Sequence, residues 1–103
     1  MWIDDPNKAE PTLLGVAASA HGGFSTTTSP PLDGTSPLIR YFSVFPVNHQ
    51  LGFTSDVGGQ QPLIAYESLT DAARNALETT DFGSGNVPFK DANFQNNLQS
   101  AEL

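Results

Sequence analysis

A small α+β fold is what this sequence predicts: a short, mostly antiparallel sheet, two helices after it, and an extended arm before it. Three observations carry that expectation. Residues 37–46 alternate like a strand, with apolar side chains on both faces. The motif Pro-Leu-Ile-x-Tyr occurs at Pro37-Leu38-Ile39-Arg40-Tyr41 and again at Pro62-Leu63-Ile64-Ala65-Tyr66. Leu-Ile-x-Tyr favours pleated backbone, and proline is tolerated at the first residue of a strand. Beyond Tyr66 the apolar period lengthens to that of a helix.

The first strand is expected over 38–45. Leu38, Phe42 and Val44 would point to one side, and Ile39, Tyr41 and Phe45 to the other. Gln50-Leu51-Gly52-Phe53-Thr54 reads as a second short strand over 50–54, and the repeated motif as a third over 62–67. Between these two, Asp56-Val57-Gly58-Gly59 supplies glycine for a turn. Ser68-Leu69-Thr70-Asp71 resembles a capping box with aspartate in the last place, opening a helix over 69–79. Leu69, Ala72, Ala73, Ala76 and Leu77 form its apolar stripe. After a loop with aromatic ends at Phe82 and Phe89, Asp91 caps a final helix over 92–101. Phe94, Leu98 and Ala101 make a stripe too narrow for a core helix, so this one is expected to dock on something.

Residues 1–36 show no sustained period and are closely punctuated by proline and glycine. They read as an extended arm with Trp2, Ile3, Leu13, Leu14 and Phe24 as anchors, leaving 37–103 as the folded domain. Leu13 to Ala20 has the apolar length of a signal-peptide core. The residues before it are acidic (Asp4, Asp5, Glu10) where a positive charge is needed, so no signal peptide is expected.

Composition narrows the function classes. Four Lys and Arg against 11 Asp and Glu give a net charge of −7, which disfavours nucleic acid and anionic membrane surfaces. There is no cysteine, so neither a disulfide nor a thiolate zinc site is available. His21 and His49, the two histidines, stand apart without metal-ligand spacing. His21-Gly22-Gly23-Phe24 resembles the His-Gly-Gly segment that supplies oxyanion-hole amides in lipase-type hydrolases. That resemblance covers four residues, and the Gly-x-Ser-x-Gly nucleophile elbow is absent. Neither a catalytic residue nor a cofactor is expected.

What remains is a strand with two apolar faces in a chain that is only 38% hydrophobic and has little to cover both. A partner is therefore expected to cover one of them. The interface residues would be Trp2, Leu13, Leu14, Phe24, Tyr41, Val44, Phe45, Phe94 and Leu98. By composition the chain reads as a non-enzymatic structural subunit of a large assembly, a small virion accessory protein of the capsid-decoration or tail type. Its partners would be its own copies or a major structural protein, and it would be made in the cytoplasm and reside in the virion. The alternatives are a cytoplasmic binding module or accessory subunit of an enzyme complex, and a small hydrolase using His21 or His49.

Overall fold

The fold is described from a computed structural model, over residues 1–46 and 49–103. It comprises two compact units, Met1–Gly58 with Gln99–Leu103, and Gly59–Leu98. Small antiparallel sheets and two helices make up the chain, as the α+β class anticipates.

In the first unit, β1 (Trp2–Ile3), β2 (Leu13–Ala20) and β3 (Gly23–Thr27) form a three-stranded antiparallel sheet with β2 in the centre. The stretch expected to be an extended arm thus contains this sheet. Its alternation is hard to read because β2 is built from small residues. Gly15, Val16 and Ala18 are buried, and glycine and alanine carry little hydropathic signal. Gly15 is small by necessity. A Cβ there would lie 2.5 Å from Leu103 Cδ2 and 2.8 Å from the Thr27 carbonyl oxygen. The chain's two ends also meet in this unit, where Trp2 Nε1–H donates to the Ala101 carbonyl at 2.9 Å.

The loop between β1 and β2 is tied at Asp4. Its carboxylate accepts from the Thr12 backbone N–H at 2.7 Å and pairs with the Lys8 ammonium. The Lys8 bond, then the Thr12 amide, holds the Asp4 carboxyl below the usual carboxylate range. β2 turns into β3 through His21 (φ 53°) and Gly22 (φ 76°), the paired positive φ of a tight primed hairpin turn.

β4 (Leu32–Asp33) and β5 (Ser36–Pro37) make a minimal ribbon that turns at Gly34, φ 61°. β6 (Ile39–Ser43) and β7 (His49–Phe53) pair antiparallel, with Ile39 opposite Phe53 and Tyr41 opposite Leu51. The strands expected over 38–45 and 50–54 are therefore present within a residue or two. β7 lies close to β2, and Val16 and Ala18 of β2 are the buried apolar residues of this unit among those described.

In the second unit no strand forms over 62–67. Leu63 is 94% exposed, and Tyr66–Ser68 instead makes a single 3-10 turn closed by Ser68 N–H to the Ala65 carbonyl. Strand propensity is realised only against a neighbouring strand, and this segment has none. The helix expected from 69 starts later, as α1 (Asp71–Thr79). Thr70 rather than Ser68 is its N-cap, its hydroxyl accepting from Ala73 N–H at 3.2 Å. α2 (Asp91–Ser100) matches the last expected helix. It is held by asparagines: Asn93 Nδ2 donates to the Val87 carbonyl at 3.1 Å and Asn97 Nδ2 to that of Pro88 at 3.0 Å. Val87 is the buried apolar residue of this unit among those described.

Candidate functional site

The second unit contains an open cleft of about 560 Å³, and its walls combine apolar, aromatic and acidic side chains. Leu63 and Ile64 come from the extended segment, Tyr66 and Glu67 from the 3-10 turn, and Glu78 from the last turn of α1. Phe89, two residues before α2, and Asp91, its first residue, close it. The failure of 62–67 to form a strand shapes this wall, because the consecutive residues Leu63 and Ile64, which a strand would point to opposite faces, both line the same space.

Two interactions fix the aromatic side. Tyr66 Oη–H donates to Glu78 Oε1 at 2.8 Å. The Tyr66 and Phe89 rings meet edge to face, 6.3 Å between centroids and 66° between planes. The acceptor is itself anchored, since Lys90 Nζ donates to the backbone carbonyl of Glu78. Ionising the phenol would cost its bond to the Glu78 carboxylate and place two negative charges together. That raises the Tyr66 pKa above the ordinary 10.0.

Arg74 pairs with Asp71 and donates to the Glu67 carbonyl at 2.9 Å, so it steadies the turn from which Glu67 projects. Glu67, Glu78 and Asp91 are all exposed, giving the cleft three carboxylates that solvent can reach. Aromatic edges beside carboxylates suit a polar ligand that carries a positive charge and one apolar face. Sequence reading missed these residues because the segment 62–67 was read as a strand. The clue was available: Tyr66-Glu67 sits next to a helix start, where side chains converge.

The residues expected at an interface are distributed over both units. Trp2 is half-buried and bonded to Ala101, while Leu13 and Phe24 are half-buried in the first sheet. Leu14 is exposed. Tyr41 is 69% exposed, Phe45 is 97% exposed and Val44 is exposed, all on the β6–β7 hairpin. Phe94 lines the cleft, and Leu98 lies exposed on α2. His21 occupies the hairpin corner between β2 and β3, and His49 lies beside Tyr41 with 5.2 Å between ring centroids. Among the described residues no group of three His, Cys, Asp or Glu is placed to hold a metal, and no helix is long and apolar enough to cross a membrane.

The sequence pattern of the Necrosis inducing protein (NPP1) family matches residues 1–101. The chain belongs to the NPP1 family. NLP effector protein 14 of Phytophthora capsici is 52% identical over 98% of this chain and 78% of its own length. A solved structure of the non-toxic HaNLP3 protein superimposes with a TM-score of 0.87 at 40% identity, covering 97% of this chain and 48% of that one. NLPPya, solved in complex with glucosamine and with mannosamine, is 47% identical with a TM-score of 0.81 over 92% of this chain. The glucosamine complex is matched over 47% of its own chain. The chain thus spans about three quarters of one relative and less than half of the solved NPP1-family chains.

This membership overturns the expectation of a virion subunit. Capsid decoration, a virion location and partnership with subunits of the same particle all fall with it, since the relatives are effectors and necrosis-inducing proteins. The misreading has a physical origin. A low share of charged residues and an apolar strand face in need of cover are not particular to particle subunits, and composition does not separate them from other proteins.

Proposed function

We propose that this chain serves an NPP1-family effector as a reader of amino sugars, and that it binds its ligand without transforming it. The observation that carries the reading is the cleft itself. Three solvent-accessible carboxylates stand beside the Tyr66 and Phe89 rings in one open space. A hexosamine has a protonatable amine to meet a carboxylate and an apolar ring face to lie against an aromatic one. The net charge of −7 adds a long-range attraction for a cationic ligand. The crystallised relative NLPPya, bound to glucosamine and to mannosamine, supports the same ligand class. As an effector, the protein would act outside the cell that makes it.

The test is a ligand titration followed by amide NMR, using glucosamine, mannosamine and neutral glucose. Glucosamine should shift signals around the cleft, and glucose should bind more weakly. Replacing Glu67 or Asp91 by its amide should weaken glucosamine by up to about tenfold, equivalent to about 1.4 kcal/mol. Equal binding of glucose and glucosamine, or no effect of either substitution, would remove this cleft from the reading. Unchanged sugar chemistry after prolonged incubation is the expected result for a binder, and release of a new product would make the protein an enzyme.

A further inference from the structure

The segment that leaves β3 carries a separate inference. Residues 25–29 read Ser-Thr-Thr-Thr-Ser and run directly into Pro30-Pro31. No other run of hydroxyl residues in the chain exceeds two. Residues 11–32 contain no Asp, Glu, Lys or Arg, in a chain whose net charge is −7. A neutral, hydroxyl-rich stretch beside proline is the composition of O-glycosylated segments.

The structure narrows the run to two residues. Ser25, Thr26 and Thr27 belong to β3 and pair with Ala18, Ala17 and Val16 of β2. Thr27 is half-buried, and its hydroxyl accepts from the Ser29 backbone N–H at 3.1 Å. Thr28 and Ser29 lie in the bend beyond β3 and are both exposed. Among the described residues, neither of their hydroxyls takes part in a hydrogen bond. Pro30 disfavours helical backbone at Ser29, so the two hydroxyls sit on open chain with no ladder to undo. The shorter hydroxyl pairs offer less. Ser36 is half-buried in β5 opposite Asp33, Thr54 is bonded to the Asp56 carboxylate, and Thr79 is bonded to the Asn75 carbonyl.

We propose that Thr28 and Ser29 form an O-glycosylation site that takes a neutral sugar from a glycosyl-phosphate donor. The hydroxyl oxygen bonds to the anomeric carbon and the carbon–oxygen bond to phosphate breaks. The phosphate leaves with that electron pair, and the hydroxyl proton passes to a base of the transferase. The site rests on the reading that the protein acts outside the cell that makes it, because the chain must meet the transferase on its way out. A phosphoryl group suits the same hydroxyls poorly. Between Lys8 and Arg40 the sequence has no Lys or Arg to pair with it, and the chain is already acidic.

The test incubates the chain with Phytophthora microsomes and ATP, adding dolichyl-phosphate mannose in one arm and uridine-diphosphate N-acetylglucosamine in the other. Intact mass and peptide mapping read the product. Sugar is expected in one arm, on Thr28 and Ser29 of the parent chain, so the map locates the site without any variant. Thr28→Val should reduce incorporation severalfold and Thr28→Val with Ser29→Ala should abolish it, with circular dichroism unchanged. Ser84→Ala, which removes an exposed hydroxyl in the other unit, should leave it at the parent level. No sugar in either arm, sugar mapped to other residues, or a phosphoryl group in place of sugar would overturn the assignment. None of these results bears on the glucosamine titration, which reads the cleft.

Discussion

Tyr66 donates its phenolic proton to Glu78 Oε1 at 2.8 Å, joining the 3-10 turn to the last turn of α1 across twelve residues. Lys90 holds the same Glu78 through its backbone carbonyl, so one residue fastens both the turn and the start of α2. The cleft keeps its shape through this small polar knot, in a unit with very little buried apolar surface.

That bond gives an alkaline signature. The Tyr66 pKa is raised by the Glu78 carboxylate, so the bond's contribution is intact below the ordinary 10.0 and is lost as pH rises through the higher folded value. Titration of the phenol by ultraviolet difference absorbance should place Tyr66 above the ordinary tyrosine range. Glu78→Gln should bring it back towards that range, and an unmoved titration would show that the carboxylate is not the cause.

Asp4 gives the opposite dependence at the acid end. Its carboxyl is held below the ordinary 3.8 by Lys8 and the Thr12 amide, so the contribution is complete above that value and is lost as pH falls through the folded one. Urea midpoints measured down this range should fall more steeply for the parent than for Asp4→Asn. Parallel curves would contradict the tie at Asp4.

Gly15 tests the packing of β2. In Gly15→Ala the new methyl meets Leu103, which can move, and the Thr27 carbonyl, which belongs to the paired strand β3 and cannot. Overpacking of this kind typically costs about 1–3 kcal/mol. Denaturant unfolding should show a loss in that range, and a smaller one if Leu103 is shortened to Ala as well. A neutral Gly15→Ala would mean that β2 and β3 separate freely.

The true start of α1 separates two neighbouring hydroxyls. Thr70→Ala removes the acceptor for Ala73 N–H and should cost about 0.5–2 kcal/mol, as N-cap losses do. Ser68→Ala lies outside the helix and should fall within about 0.5 kcal/mol of the parent. The comparison is made by thermal unfolding, and the reverse order would restore the capping box at Ser68.

The sequence by itself determined the strands at Ile39–Ser43 and His49–Phe53 and the two helices, because the strand alternation and the stripe of α1 are local and strong and Asp91 marks the start of α2. It also showed that the strand at Tyr41 has an apolar face in need of cover. Only the tertiary structure made a sheet of residues 13–27, since Gly15 and Ala18 become buried through the neighbours they meet rather than through their own hydropathy. Likewise it left Pro62-Leu63-Ile64 unpaired and turned Tyr66 towards Glu78. The same five-residue motif is a strand after Pro37 and a cleft wall after Pro62, because a strand exists only where another backbone lies beside it to accept its hydrogen bonds.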